Sequence, residues 1–213
     1  MSANPSRDRS FHGLVCRRAR AALIMGLACL QSCAGEASEP DPTIPEPPAA
    51  EVLYLDGEAF ELAAAELPTV LLFIGRVCPI SNTLAPEMRR IHEEYGQRGV
   101  DFKLVYTDPD ETHADLRMHL LEYELGMPAV LDFGQLLARQ LGIRVTPEVA
   151  LVLQGGELAY RGRINDLYAD FGVQRKVPTS HDLRRALDAV LADKDPEPAR
   201  TIAIGCVLPE MPK

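Results

Sequence analysis

A cysteine at the junction of an apolar strand and a proline-started helix constrains this chain more than any other feature. Residues 70–74 form an apolar run rich in branched and aromatic side chains, which is typical of a strand buried on both faces. Cys78 follows just beyond the run, and Pro79 stands where the first helical residue is expected, a position that tolerates the missing N–H of proline. The stretch 69–86 therefore predicts a strand, a short turn and a helix with a cysteine at its N-terminus.

Such a cysteine has two interpretations that the residues alone do not separate. The positive end of a helix dipole and its free N–H groups favour the thiolate, which makes a thiol reactive. Arg76 precedes Cys78 by two residues and Ser81 follows it by three, so a charge and a hydroxyl are available to lower its pKa further. Alternatively, Cys78 is a buried structural residue and Arg76 points into solvent.

Strands alternate with helices through the rest of the chain. After a small hairpin at 52–62, the apolar runs and helical stripes predict the order ββαβαβαββα, which is typical of an α/β sheet with parallel members. Two strands at 148–164, joined by Gly155-Gly156, predict an antiparallel edge. A last helix is expected at 182–191, capped by Thr179 or Ser180.

The first 33 residues have the pattern of an export signal. Arg17, Arg18 and Arg20 precede an apolar segment at 21–30 that is too short to span a bilayer. Leu30-Gln31-Ser32-Cys33 resembles the bacterial lipobox, whose cysteine becomes lipid-modified. A conventionally cleaved signal and an uncleaved anchor are the alternatives.

A segment rich in proline and glutamate follows at 34–50 and predicts an extended tether, because it holds almost no large apolar side chain. The domain is expected at 51–193 and a C-terminal extension at 194–213. Together these segments predict an exported protein, lipid-anchored through Cys33 on the periplasmic side of a bacterial membrane.

Charge and cysteine spacing exclude several classes of function. The formal net charge of −9 disfavours a nucleic-acid partner. No two cysteines have Cys-x-x-Cys spacing, and the histidines show no ligand spacing, so neither a metal nor another cofactor is expected. Surface positions are expected for four histidines: His92, His113, His119 and His181.

Four features together resemble the thioredoxin fold, in its redoxin or AhpC/TSA-like branch. Cys78 follows the first core strand, and Pro86 lies eight residues beyond it, where thioredoxins kink the active-site helix. Thr146-Pro147 opens the penultimate strand, like the cis-proline that faces the active cysteine. The extra helix and strand near 113–131 resemble the redoxin insert. The resemblance covers residues 52–193 and implies a three-layer α/β/α fold around a central mixed sheet.

The active-site motif departs from the family pattern. Thioredoxins carry Cys-x-x-Cys, whereas this chain has Cys78-Pro79-Ile80-Ser81. The Pro-x-x-x-Thr/Ser-x-x-Cys motif of typical peroxiredoxins is absent before Cys78. Asn82 stands where SCO-type copper chaperones have their second cysteine. A resolving thiol is therefore missing from its usual place.

Cys206 in the C-terminal extension is the candidate for that second thiol. It lies in an apolar run at 201–208 and follows Gly205, which permits close backbone approach. Similar exported bacterial redoxins end in a Gly-Cys segment. A structural disulfide with Cys78, shared metal ligation and two unrelated cysteines are the alternatives.

The segment 160–172 is also unusually patterned, with Arg163 and Asp166 as its charged centre. It resembles a loop of the same redoxins, which implies a substrate surface near the cysteine. The alternative is a turn that is stabilised by its own ion pairs.

The sequence thus predicts an exported, membrane-tethered thiol–disulfide oxidoreductase with Cys78 as nucleophile. Thr146-Pro147 would present its backbone to an extended substrate. The substrate is a protein or small-molecule thiol or disulfide, and the reductant is not identified. A thiol peroxidase and a non-enzymatic, copper-carrying module are the alternatives.

Overall fold

A computed structural model describes residues 51–210 of the chain. The predicted signal, its Cys33 lipid site, the tether at 34–50 and the last three residues lie outside the described residues. Between 51 and 210, no helix is long and apolar enough to cross a membrane.

Strands and helices alternate through the described residues. The strands are β1 (Leu53–Tyr54), β2 (Thr69–Phe73), β3 (Asp101–Tyr106), β4 (Ala129–Leu131), β5 (Val145–Thr146), β6 (Glu148–Val152), β7 (Leu158–Gly162), β8 (Tyr168–Asp170), β9 (Val173–Gln174) and β10 (Cys206–Val207). The helices are α1 (Pro79–Gly96), α2 (His113–Glu122), α3 (Leu136–Leu141) and α4 (Asp182–Leu191), with a 3-10 turn at Leu62–Ala64.

The central sheet has six strands in the order β1-β4-β3-β2-β6-β7. Strands β2, β3 and β4 pair in parallel, whereas β1, β6 and β7 join antiparallel. This mixed sheet confirms the predicted α/β class. Because β2 lies at its centre, its carboxyl end places the following turn in the middle of the domain.

Alternate residues of β2 face two separate parts of the core. Val70, Leu72 and Ile74 pack with side chains of α1, α2 and α4. Leu71 and Phe73 pack with α3 and the 3-10 turn on the opposite face. Every residue of β2 is buried, and each large side chain contributes roughly 1.5–3 kcal/mol by leaving water. The helices on both faces make the three layers that were predicted.

The predicted hairpin at 52–62 is confirmed as an antiparallel bridge between Leu53 and Ala59, with the Phe60 N–H donating to the Val52 carbonyl at 2.9 Å. Only Leu53–Tyr54 is a strand, and it also pairs with β4.

The start of the last helix differs from the prediction. Helix α4 begins after His181 without a side-chain cap. The predicted caps make other bonds: Thr179, through its N–H and its hydroxyl, and the Ser180 N–H donate to the carboxylate of Asp166, and the Ser180 hydroxyl donates to Asp182 at 3.0 Å.

Candidate redox site

Cys78 is the residue that precedes helix α1 and caps its N-terminus. Its backbone is extended, with φ −80° and ψ 113°, and Pro79 is the first helical residue. The Cys78 carbonyl accepts the Asn82 N–H at 3.1 Å, which closes the first turn. The residue is only 2% exposed. The predicted cysteine at a helix N-terminus is therefore present, and it is buried.

Thr146 lies against the sulfur of Cys78 from another part of the chain. The Cys78 thiol donates a hydrogen bond to the Thr146 carbonyl at 3.0 Å, and the Thr146-Pro147 peptide bond is cis. The absence of a side chain at Gly75 permits this contact, since a Cβ there would lie 3.0 Å from the Thr146 hydroxyl oxygen and 3.2 Å from the Cys78 Cβ. The turn after β2 and the end of β5 thus enclose the sulfur together.

The C-terminal extension is held along the edge strand β7 before it reaches the site. Thr201 N donates to the Arg161 carbonyl at 3.0 Å, and Arg161 N donates to the Ala199 carbonyl at 3.0 Å. The hydroxyl of Thr201 also pairs with that of Tyr160 at 2.6 Å. These contacts fix where the extension leaves β7.

The extension then crosses to β5, where it adds the short strand β10. Cys206 lies opposite Thr146 and Val207 opposite Val145 in an antiparallel pair. Gly205 passes so close to this edge that a Cβ there would lie 2.2 Å from the Thr146 carbonyl oxygen. The structure therefore brings together Cys78, Thr146 and Cys206, three of the predicted site residues.

The two thiols have opposite shifts in acidity. Burial raises the pKa of Cys78, but hydrogen bonds from the Cys206 side chain and from the backbone and hydroxyl of Ser81 outweigh it and hold the pKa below the ordinary thiol value. Burial and the adjacent Cys78 raise the pKa of Cys206 to about 11. Cys78 is thus the thiol that ionises first, and Cys206 keeps its proton. Both cysteines are free thiols.

Arg76 faces a carboxylate that the sequence analysis did not single out. Its Nε lies 3.3 Å from Oε1 of Glu111, which comes from the loop between β3 and α2. Burial and the neighbouring Asp108 raise the pKa of Glu111, and Arg76 opposes them. Glu111 lies in a polar turn with no distinctive local pattern, so only the fold relates it to the site.

Hydrogen-bonded polar side chains connect the first turn of α1 to α2 and β3. Asn82 donates to the Arg76 carbonyl at 3.0 Å and accepts from His119 Nε2 at 2.9 Å. His119 Nδ1 lies 2.7 Å from the Tyr106 hydroxyl. The predicted surface position of His119 is wrong, since it is 3% exposed. Its spacing of three residues from Leu116 on the same helix face was the available signal.

Arg163 and Asp166 make structural contacts of their own. Arg163 Nε donates to Asp182 at 2.7 Å. Asp166 accepts from Thr179 N at 2.6 Å and Ser180 N at 2.8 Å. Among the described residues, the lining of the cavity beside the two cysteines does not include either of them.

That cavity has a volume of about 90 Å³ and opens between the two thiols and the loop after β3. Its lining includes Cys78, Cys206, Thr107, Glu111 and Thr146. Within 51–210, no three histidine, cysteine or acidic side chains are grouped to hold a metal ion.

Two curated relatives are similar to about half of this chain. A thiol–disulfide oxidoreductase, ResA, from Halalkalibacterium halodurans is 30% identical over 105 residues, which are 49% of this chain and 58% of that protein. A protein of the same name from Bacillus thuringiensis is 27% identical over 114 residues, 53% of this chain and 65% of that protein. The chain therefore spans less than two thirds of these relatives.

Two solved structures share the fold over a longer stretch. An uncharacterised conserved protein from Geobacillus kaustophilus has a TM-score of 0.67 at 22% identity, covering 76% of this chain and 89% of that one. A hypothetical protein from Sinorhizobium meliloti has a TM-score of 0.65 at 24% identity, covering 77% and 93%. The sequence model of the AhpC/TSA family matches residues 46–164. This match, with Cys78 and the cis-proline inside it, shows that the chain belongs to the AhpC/TSA family.

Proposed function

We propose that this protein is a thiol–disulfide oxidoreductase in which Cys78 attacks a disulfide and Cys206 resolves the product. The observation that carries the proposal is that Thr146 contacts both cysteines: its carbonyl accepts the hydrogen bond of the Cys78 thiol, and it lies opposite Cys206 in the β5–β10 pair. The pKa of Cys78 is lowered, whereas burial, followed by the adjacent Cys78, raises the pKa of Cys206. Exchange needs an ionised nucleophile and a second thiol within reach. The relatives named as thiol–disulfide oxidoreductases support this reaction class.

The reaction consists of two exchanges. The Cys78 thiolate attacks one sulfur of a substrate disulfide, forms a mixed disulfide and releases the other sulfur as a thiol. Cys206 then attacks the Cys78 sulfur, the bond between the two cysteines forms, and the second substrate sulfur leaves as a thiol. Two protein thiols are oxidised and one substrate disulfide is reduced. The reverse sequence oxidises a substrate dithiol.

Access to Cys78 requires the C-terminal segment to move, because the residue is 2% exposed. Beyond Cys206 the segment is held by few bonds. Leu208 N donates to the Arg144 carbonyl at 3.2 Å, and Gln135 donates to the Pro209 carbonyl at 2.7 Å. Segments with few buried contacts and few hydrogen bonds open locally at low cost. Opening frees the β5 edge for an extended substrate chain that carries a cysteine.

Trapping the mixed disulfide tests the proposal. The test uses the full chain with Cys16, Cys29 and Cys33 replaced by alanine, so that Cys78 and Cys206 are its only thiols, and this protein is the wild type of the experiment. After reduction and treatment with glutathione disulfide, it is expected to end as an internal disulfide with no bound glutathione. Cys206→Ser is expected to accumulate one glutathione on Cys78, and Cys78→Ser to stay unmodified. Intact-mass measurement under non-reducing conditions distinguishes these products. Wild-type protein that retains glutathione as Cys206→Ser does would contradict a resolving role for Cys206.

Peroxide reduction is the second candidate, and membership of the AhpC/TSA family is the observation that favours it. A hydroperoxide would oxidise the Cys78 thiolate to sulfenic acid, which Cys206 would then convert to a disulfide with loss of water. Stopped-flow measurement of Cys78 oxidation separates the two candidates. A rate no higher than that of free cysteine rejects the peroxidase.

The setting of this chemistry is inferred from residues 1–50. The signal-like segment and Leu30-Gln31-Ser32-Cys33 support export and a lipid anchor outside the cytoplasm, where disulfides persist. In a bacterial host, Cys33→Ala is expected to move the protein out of the membrane fraction. Retention of that variant in membranes would contradict the lipid anchor.

A further inference from the structure

The resolving step, on which this inference rests through the proposed function, needs a group that takes the proton from Cys206. Burial is the largest of the causes that raise the pKa of Cys206, and it remains when Cys78 is held in a mixed disulfide, so the Cys206 thiolate is scarce at neutral pH. In the mixed disulfide Cys78 has no ionisable thiol and accepts no proton. The attacking species is nevertheless the thiolate. Another acceptor beside Cys206 is therefore required.

Glu111 lies in the cavity that both cysteines line. Its side chain is 5% exposed, with Oε1 at 3.3 Å from Arg76 Nε. Among the residues that the structure describes, Oε2 has no hydrogen-bond partner. The cavity volume of about 90 Å³ is enough for a bridging water, since one needs roughly 10–15 Å³. A buried carboxylate oxygen without a partner is costly, and this one lies where a proton must be accepted.

We propose that Glu111 accepts the proton of the Cys206 thiol, directly or through one water, and donates it to the leaving sulfur of the mixed disulfide. The Cys206 S–H bond breaks and its electron pair forms the bond to Cys78. The bond between Cys78 and the substrate sulfur breaks, and the substrate leaves as a thiol with the proton that Glu111 held. Glu111 begins and ends the step as a carboxylate, and no outside oxidant or reductant is consumed.

The surroundings of Glu111 suit a proton acceptor. Burial and the charge of Asp108 raise its pKa, and Arg76 lowers it, so Arg76 keeps the carboxylate ionised in spite of its burial. A base is most effective when its pKa approaches the working pH. The titratable and charged groups around it are Arg76, Asp108, Tyr106, Cys78 and Cys206.

Asp108 lines the same cavity but is less suited to this role. It is partly exposed, and its carboxylate accepts the Asp110 N–H at 3.0 Å. The Asp108 carboxylate is therefore bonded within its own loop and open to solvent. Glu111 therefore combines burial, an open oxygen atom and a place in the cavity.

Two-phase reduction of 5,5′-dithiobis(2-nitrobenzoic acid) tests this step in the reduced full-length protein with Cys16, Cys29 and Cys33 replaced by alanine, which serves as the wild type of this experiment. Attack by Cys78 releases the first coloured thiolate, and attack by Cys206 releases the second. The released thiolate stays ionised, so the second phase isolates the loss of the Cys206 proton. The variants are Glu111→Gln, Glu111→Asp and, as the matched control, Glu93→Gln, which removes an exposed carboxylate of α1.

The expected result is a second phase slowed by about 10²-fold in Glu111→Gln, in line with the usual contribution of a general base. Glu111→Asp is expected to recover part of the rate, and Glu93→Gln to match the wild type. The wild-type second phase should show an inflection at the pKa of Glu111. In Glu111→Gln the rate should instead rise steadily with pH.

Other outcomes have separate meanings. Wild-type protein that releases one thiolate instead of two contradicts the proposed function itself. Two thiolates with an unchanged second phase and pH profile in Glu111→Gln overturn the role of Glu111 alone. Equal slowing of both phases assigns Glu111 a structural role and also overturns the proposal. Circular dichroism of each variant checks that the fold is retained.

Discussion

Cys206 lies directly opposite Thr146 in an antiparallel pair, and the carbonyl of the same Thr146 accepts the hydrogen bond of the Cys78 thiol. One backbone segment therefore contacts both cysteines. The extension occupies the edge that the sequence analysis assigned to an extended substrate. In this arrangement the chain supplies its own cysteine-bearing strand to Cys78.

Gly205→Ala is expected to weaken the docking of β10 on β5. The new Cβ would lie 2.2 Å from the Thr146 carbonyl oxygen, and such overpacking costs about 1–3 kcal/mol. The docked fraction of the segment relative to the open one should fall by a factor of about 5 to 140. Hydrogen exchange at the Cys206 amide should accelerate, and formation of the internal disulfide should slow. Gly126→Ala is the control, because a Cβ at Gly126 meets no atom within 4 Å; equal effects in both variants would contradict the specific contact.

Ser81→Ala is expected to raise the pKa of Cys78. The Ser81 hydroxyl is one of the groups that hold this pKa below the ordinary value against the effect of burial. The thiolate fraction at a given pH should fall, and the pH midpoint of the first exchange step should move upward. Thr83→Val is the matched control, because the exposed Thr83 hydroxyl donates to the Pro79 carbonyl at 2.8 Å and not to the thiol. An unchanged midpoint in Ser81→Ala would contradict the hydroxyl's role.

His119 is expected to make the fold sensitive to mild acid. Burial, with the charge of Arg76, lowers the pKa of His119 from 6.5 to about 4. The imidazole is therefore protonated at a lower pH in the folded protein than in the unfolded chain. The stabilisation is complete above pH 6.5 and is lost as pH falls toward 4, by about 3 kcal/mol. Urea unfolding of wild type should show this slope, and His119→Gln should flatten it. His113→Gln, at an exposed position, should keep the wild-type slope; a flattened slope there would contradict the assignment.

Asp166→Ala is expected to destabilise the fold without changing exchange at Cys78. The variant removes the charged acceptor of the Thr179 and Ser180 N–H groups, and a hydrogen bond to a charged group contributes about 1.5–3 kcal/mol. Those bonds lower the pKa of Asp166 to about 2 in spite of burial, so its stabilisation is present above pH 3.8 and is lost below it. Thermal unfolding measures the loss, with the exposed Asp170→Ala as control. A slower first exchange step in Asp166→Ala would instead support the substrate-loop interpretation.

Sequence patterns predicted the domain because its signals are local. The apolar run identifies β2, and the proline at the first helical position identifies the start of α1. The alternation of strand-like and helical hydrophobic patterns along the chain predicts the layers around them. Local patterns identified Cys206 as the candidate second thiol but not the strand that its segment joins, because β10 and β5 lie far apart in the chain. Glu111 lies in a turn without periodicity, and its burial depends on packing that only the folded chain creates. His119 was misplaced because the prediction rested on the histidines having no ligand spacing, and histidine is intermediate between the buried and the exposed residue types.

The route of the extension has a consequence for proteolysis. Residues 193–200, between α4 and the contacts on β7, are exposed apart from Pro196, and exposed connections are preferred sites of cleavage. A single cut there would separate Cys206 from the rest of the chain but leave all six strands of the central sheet in one piece. The remaining fragment would keep Cys78, with its sulfur uncovered once the severed peptide diffused away. Cleavage would thus change a two-thiol site into a one-thiol site in one irreversible event.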